Sequence, residues 1–451
     1  MKKKKWVLLL LSVLLLAGYF KFFYKTYSET AVAKSVDCII TLDVKRITNT
    51  VIWNTLTTPS QWKKISFSSG SKISWKKMFI IPDYIFIFHS KNHPANAWYT
   101  VFDIKDKNDF NKGIQQYHFE KRNSTGNLKE YFSNESGVEL LQNGNKVLLG
   151  NAAIQDKNFM RQIADELFSK NQYTSKEIIK KNIESGSHLA LQIIKNEFLQ
   201  QDAVIKANFD KSKIAVEAII TPQKQFNFLE YNFNYSANSL SILGFTQPPE
   251  QVYNLLSDSV KNNISKALNF NIDSLLLQNN TSYSMDVATI QQRKDSAVTY
   301  TYDDNFNAIE KVAVNNVQEP AFNFTVRGQG VSSVYNYFKN KGKLENTPAG
   351  DLFVPMLFVK SYCSKKTERE LNITSGNYQM NAADASINCI LFLNMLLTKI
   401  PPPVLKYLPD DLVKAIANIE SVNLYAKKKN EKIIFHCSCN KKNNDLPVVN
   451  W

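Results

Sequence analysis

Five histidines and five cysteines are the residues of this chain best suited to nucleophilic, acid–base or metal chemistry. His89 and His93 stand four apart, shortly after Asp83. On a helix that interval would set two imidazoles on one face, as a zinc pair needs, with a carboxylate to serve as base. Pro94 and the strand-like run Tyr84, Ile85, Phe86, Ile87, Phe88 instead predict a strand ending in a loop. His118 is expected just past a helix, His188 at the start of a strand, and His436 inside one between Phe435 and Cys437, none beside a nucleophile in a recognisable motif. Arg327-Gly328-Gln329-Gly330 follows a strand and opens a helix, as a dinucleotide fingerprint does, but Ser333 occupies the place of the third glycine. The matching turn earlier in the chain, Lys105-Asp106-Lys107-Asn108, has no glycine, so these glycines are expected to serve a turn. Asp410 and Asp411, after Pro409, read as a helix N-terminus in preference to an acid–base pair.

The sequence has no G-x-S-x-G, H-E-x-x-H, P-loop or C-x-x-C. No catalytic, cofactor-binding or metal-ligating residue is therefore assigned, and no cofactor is expected. Cys38, Cys363, Cys389, Cys437 and Cys439 are odd in number and lack framework spacing. Cys437 and Cys439 would lie on one strand face about 6.6 Å apart, too strained for a bond. Buried free thiols are expected, with a bridge from Cys389 to Cys437 or Cys439 as the alternative.

The elements that must position these residues begin with a basic tip, Lys2 to Lys5, and an apolar run from Trp6 to Phe20 broken by Ser12 as its one strongly polar residue. Central Leu, Val and Phe residues favour insertion by roughly 0.3 to 0.6 kcal/mol each. With Phe22, Phe23 and Tyr24 the run predicts one transmembrane helix in the lipid bilayer over residues 6–24, within an anchor segment 1–25. The chain is then expected in the inner (cytoplasmic) membrane, single-pass, with its N-terminus cytoplasmic and its body periplasmic or otherwise extracytoplasmic. The competing reading is a signal peptide cleaved after Ala33, since Ala31-Val32-Ala33 has the A-x-A form, but that site lies more than ten residues past the apolar run, across Lys21 and Lys25. Tyr19 stands where a lipoprotein box needs cysteine.

The formal charge of +15 raises nucleic acid as a partner, yet Lys2 to Lys5, Lys21 and Lys25 supply six of those charges and leave +9 for everything after. The clusters Lys427 to Lys429 with Lys432, and Lys441 with Lys442, read as solvated hairpin ends, so nucleic acid is not the expected partner.

Beyond the anchor, the order of elements in the first half returns in the second. Copies are placed at 36–224 and 239–443, joined at 225–238 and followed by a tail at 444–451. Strands are expected at 36–43 and 240–245, helices at 46–57 and 250–268, and strands at 84–89 and 283–290. Amphipathic helices follow, with Phe110, Ile114 and Tyr117 in one copy and Val331, Val334, Tyr335 and Phe338 in the other. Closing strands are expected at 188–193 and 387–393, and hairpins at 203–220 and 421–438. Residues 300–314 read as an added hairpin with Asp303, Asp304 and Asn305 at its turn. The fold class expected is α+β: two tandem repeats of mostly antiparallel sheet with packed helices, preceded by one transmembrane helix.

The stretches SVDCIITLDVKRITNTVIWNTLTTPSQW and SILGFTQPPEQVYNLL resemble, in pattern, large exported proteins of Bacteroidota to which no activity is attached. That resemblance spans most of the chain loosely and implies tandem α+β units behind a signal or anchor, with no functional residue carried over. A membrane-tethered binding or scaffolding module of the cell envelope, with an envelope protein or ligand as partner, is the function expected. The alternative is an envelope hydrolase built on His89, His93 and Asp83.

Overall fold

A computed structural model describes residues 24–57, 74–125, 127–151, 158–236, 239–254, 256–268, 270–276, 280–302, 306–355, 359–376, 378, 385–400, 413 and 417–442. They fall into two compact units that divide between Thr221 and Pro222.

In the first unit the strands are β1 (Val36–Asp43), β2 (Phe79–Ile80), β3 (Tyr84–Ser90), β4 (Tyr99–Ile104), β5 (Glu120–Thr125), β6 (Leu128–Ser133), β7 (Val138–Asn143), β8 (Lys146–Gly150), β9 (Leu189–Ile193), β10 (Ala203–Phe209) and β11 (Lys213–Ile220). The helices are α1 (Val44–Leu56), α2 (Trp75–Met78), α3 (Lys107–Gln116), α4 (Asn158–Ala164), which runs on into one π turn, and α5 (Lys176–Ile183). The main ladder runs β5-β6-β7-β8-β4-β3-β1-β9-β10-β11, antiparallel at every step. Strict alternation makes β3 bury Tyr84, Phe86, Phe88 and Ser90 on one side. That side meets Met160, Ile163 and Ala164 of α4 and Ile179 of α5. The other side of β7 and β8 is covered by Met78, Phe110 and Ile114 from α2 and α3, so these two strands bury apolar residues on both faces. Asp43, Asp106 and Ser175 begin α1, α3 and α5 by accepting backbone N–H groups at 2.8, 2.8 and 3.4 Å.

In the second unit the strands are β12 (Tyr231–Tyr235), β13 (Ser241–Thr246), β14 (Thr281–Tyr302), β15 (Ala308–Gly328), β16 (Leu344–Thr347), β17 (Gly350–Phe353), β18 (Ser361–Thr367), β19 (Glu370–Ser375), β20 (Ala385–Cys389), β21 (Leu391–Leu396), β22 (Ile419–Lys429) and β23 (Lys432–Lys441). Its helices are α6 (Glu250–Tyr253), α7 (Asp258–Leu268), α8 (Asp273–Leu276) and α9 (Val331–Asn340). The ladder runs β16-β17-β18-β19-β15-β14-β13-β21-β22-β23, step for step the order of the first unit. Val331, Val334 and Phe338 of α9 and Leu275 of α8 pack on Tyr283, Phe322, Leu371 and Ile373. A separate pair, β12 with β20, places Phe233 and Cys389 against Ile242 and Phe392. Gly244 of β13 permits that contact, because a Cβ there would stand 2.8 Å from the Phe233 ring.

The expected fold class is corrected. The described residues are mostly antiparallel strand, with helices of 13 residues or fewer, so the chain is better classed as a β protein with short packed helices than as α+β. Strand was underestimated because β14 and β15 run for 22 and 21 residues where 8 were expected in the first arm. Helix was overestimated at 250–268, where Asn254 caps α6 and Ser257 accepts the Val260 N–H at 3.4 Å before α7, splitting the element. Among the described residues no helix is long and apolar enough to cross a membrane. The expected transmembrane helix at 6–24 lies, apart from Tyr24, outside the described residues, as do Pro401 to Pro403, Asp410, Asp411 and the tail 444–451.

Beyond the sheet, β14 and β15 form a long two-stranded ribbon. β13 pairs with Ser282–Val287 and β19 with Asn323–Arg327, while 289–302 pair only with 308–321. The pairing slips one residue between Val287 and Thr289, a bulge placed where the ribbon leaves the sheet. Fourteen paired residues at ~3.4 Å each make it about 45 Å long.

Candidate functional site

A cavity of about 630 Å³ lies in the first unit between the start of β1, the end of β3 and the segment after β9. Its walls are Val36, Asp37, Cys38, His89, Trp98 and the stretch 193–197, with Lys91 at one side. A bulge builds it. The β1–β3 pairing passes from Val36 opposite Ser90 to Cys38 opposite His89, which leaves Asp37 as the extra residue. Its carboxylate therefore reaches the His89 ring, with Oδ1 2.6 Å from Nδ1. The other ring nitrogen, Nε2, stands 3.0 Å from the Pro94 carbonyl oxygen. Each ring nitrogen thus has an oxygen acceptor of the protein within hydrogen-bond distance, which fixes the ring in place. Trp98 lies against the imidazole at 5.6 Å between ring centroids, and its backbone N–H donates to Asn151 Oδ1 at 2.8 Å. Opposite, the Ile194 N–H donates to the Asp37 carbonyl and the Lys195 N–H to Asp202 Oδ1, each at 2.9 Å. Cys38 shares the cleft, but burial and the adjacent Asp37 charge push its thiol up to about 11, leaving it protonated at neutral pH.

The residues singled out in the sequence are not gathered here as a catalytic set. His93 turns away from His89: its Nδ1 is 2.8 Å from the Tyr99 hydroxyl, its ring packs 4.6 Å from Phe159, and burial lowers its pKa. Asp83 sits at the other end of β3, six residues or roughly 20 Å from His89, where it accepts the Thr26 N–H at 2.8 Å and faces Lys45 at 3.8 Å. His188 lies between Thr50 Oγ1 at 2.7 Å and Asn208 Oδ1 at 3.1 Å, stacked on Phe209, and burial first and the Arg46 charge second lower its pKa. His118 follows α3 with φ of 55°, and His436 stacks on Tyr425 within the β22–β23 hairpin. Arg327 of the glycine-rich turn is paired with Glu370 at 3.1 Å, so its guanidinium is not presented to a phosphate. All five cysteines are free thiols. Among the described residues no group of three His, Cys, Asp or Glu side chains is placed to hold a metal.

Two buried acids escaped the sequence reading. In the β6–β7 register Glu130 faces Leu141 and Phe132 faces Glu139, so the two glutamates are diagonal neighbours on one face. Arg161 donates to Glu130 Oε2 at 2.8 Å and opens onto a smaller cavity of about 380 Å³, whose wall includes Glu130 but not Glu139. Burial, then the Glu130 charge, pushes the Glu139 carboxyl up to about 7. A proton on Glu139 supplies the donor that two ionised acids lack, since the Oε1 atoms of both are otherwise unsatisfied. The folded chain thus holds this proton above the ordinary value of 4.5, and the stabilisation is complete below that pH and lost as pH rises through about 7. Glu139→Gln is expected to raise stability at pH 8 by about 3 kcal/mol and to change little at pH 4.5, measured by urea unfolding across that range. Equal effects at both ends would show that the glutamate does not carry the proton.

No family model matches the sequence, and no curated protein matches it. Three solved structures of TP0453 align with it. Crystal form III does so with a TM-score of 0.29 at 9% identity, over 54% of this chain and 87% of that one. Forms IV and I give 0.27 and 0.28 at 9% and 10% identity, over 44% of this chain and 81% and 80% of theirs. Likeness of that degree carries no argument about fold or activity.

Proposed function

We propose that the protein is a non-catalytic binding or scaffolding module of the cell envelope, lying outside the cytoplasm, tethered to the bilayer through residues 6–24, and taking its partner into the cleft beside Trp98. The observation that carries this reading is the state of the cleft's reactive groups: the Cys38 thiol is held protonated and both His89 nitrogens are committed to acceptors. Groups locked in this way hold a wall in shape, and a shaped wall that mixes apolar groups with Asp37, Lys91, Lys195 and Glu197 suits binding. The basic tip and apolar run of the sequence support the address.

A photo-crosslinking residue in place of Ala95, on the cleft wall, is expected to capture a specific envelope component in intact cells. Trp98→Ala combined with Ile194→Asp should lower the yield at least ten-fold. His89→Gln keeps a donor toward Asp37 yet cannot relay a proton, so capture and cellular phenotype should both survive it. If folded His89→Gln protein captures normally while the phenotype disappears, the reading is wrong and the cleft is catalytic.

A further inference from the structure

The ribbon of β14 and β15 ends in an apolar face that nothing in its own unit covers. In its register Val298 stands opposite Val312, Ser296 opposite Val314, Tyr300 opposite Glu310 and Tyr302 opposite Ala308, all on one face. Val298, Val312 and Val314 are 56%, 61% and 59% exposed, and Tyr300, Tyr302 and Phe306 are 60%, 70% and 86% exposed. The opposite face carries Ala297 opposite Ala313, Thr299 opposite Lys311 and Thr301 opposite Ile309, rows with no aromatic residue and with Ile309 as their one large apolar residue. A two-stranded ribbon of this length is marginal alone in water, and one greasy face marks it as half of a contact.

We propose that this face docks on the same face of a second copy of the chain, the two ribbons lying antiparallel about a two-fold axis. Area and charge both favour that occupant. Each large aromatic side chain brings about 150 to 250 Å², so the exposed parts of Tyr300 and Tyr302 with the three valines amount to roughly 600 Å² per copy. Two copies then reach about 1,200 Å², where stable interfaces begin. In an isologous contact centred between the Val298–Val312 and Ser296–Val314 rows, the Tyr300–Glu310 row meets the Lys294–Asn316 row of the other copy. Glu310 and Lys294 are both exposed, and symmetry forms the opposite-charge pair twice. A bilayer surface suits the tip less well, because Asp303 and Asp304 lie between Tyr302 and Phe306 and anionic lipid repels them.

Light scattering on the full-length, detergent-solubilised protein tests the proposal. Wild type is expected to be a dimer at micromolar concentration, and Val298→Asp with Val312→Asp to weaken self-association at least ten-fold without changing far-ultraviolet circular dichroism or the melting transition. Glu310→Lys alone should also weaken it, and Glu310→Lys with Lys294→Glu should restore it, a rescue that a contact made elsewhere in the chain cannot produce. A monomeric wild type overturns the proposal, as does a dimer indifferent to both sets of substitutions. Monomers that float with lipid vesicles through Val298 and Val312 would overturn it in favour of a membrane.

Discussion

Removing residues 1–33, as cleavage after Ala33 would, is expected to destabilise the first unit by on the order of 5 kcal/mol, whereas removing 1–23 should leave it unchanged. The difference rests on ten residues. Ala31, Val32 and Ala33 are buried in the core with Ile163, Leu167 and Ile179. Val32 accepts the Thr174 N–H at 3.1 Å and Ala33 bridges to Tyr173, so the segment is joined to the body by backbone as well as by packing. Burying one valine contributes roughly 1.5 to 3 kcal/mol. Lys25 forms an ion pair with Asp43, which is 3% exposed, and removing one member of a buried pair costs about 3 to 5 kcal/mol. Urea unfolding of the two truncations decides the matter, and coincident midpoints would mean that residues 24–33 are only draped on the surface. The small residues that resemble a peptidase site are accounted for by their burial: nothing larger than alanine is called for on either side of Val32 in that core.

Gly328→Ala should cost roughly 4 kcal/mol, and Gly342→Ala about 1 kcal/mol, in melts or denaturant titrations of the full chain. Gly328 has φ of +129°, and a Cβ on it would stand 2.1 Å from the Asn280 carbonyl oxygen and 2.9 Å from Thr281 Cα. Both are backbone atoms at the start of β14, so relief requires the β14–β15 pairing itself to shift. Gly342 shares a positive φ, +63°, but has nothing within 4 Å of a Cβ, leaving only the left-handed backbone term. Equal losses at the two positions would place the effect in the backbone conformation and not in the close approach. Gly330, by contrast, begins α9 at φ of −76°, which any residue adopts. The two glycines that resemble a phosphate fingerprint are therefore unlike each other, and the first is explained by the strand crossing beside it.

Alternation carried the sequence reading a long way. The strand expected at 36–43 is β1, the strand at 84–89 is β3 within one residue, and the hairpins at 203–220 and 421–438 are β10–β11 and β22–β23. Phe110 and Ile114 of α3, and Val331, Val334 and Phe338 of α9, are buried as their helical spacing requires. Each of these rests on neighbours within one element, which is the range over which side-chain period acts. The closing strand at 387–393 was misread for the opposite reason. Its residues split between β20, paired with β12, and β21, paired with β13, and a continuous apolar run has no local mark for a change of partner.

The cleft was legible only in part. His89 stood out by residue type, but Asp37 did not, because a bulge is a mismatch between two strands and leaves no trace in one of them. Glu130 and Glu139 are nine positions apart on separate strands, and their shared proton depends on a diagonal contact and on burial.

The chain's own pattern of polar and apolar residues was enough to establish that it builds antiparallel strands, where most of them begin, and which helix faces turn inward, since those follow from backbone geometry over a few residues. Folding in three dimensions settled which strand pairs with which, how far the β14–β15 ribbon extends, that His89 meets Asp37, and that Cys38 and Glu139 sit in surroundings that determine where their protons reside. Those properties arise from groups 50 residues or more apart in some cases, as Asp37 and His89 are at a separation of 52, and dielectric and hydrogen-bond partners exist for a side chain only once such distant segments meet.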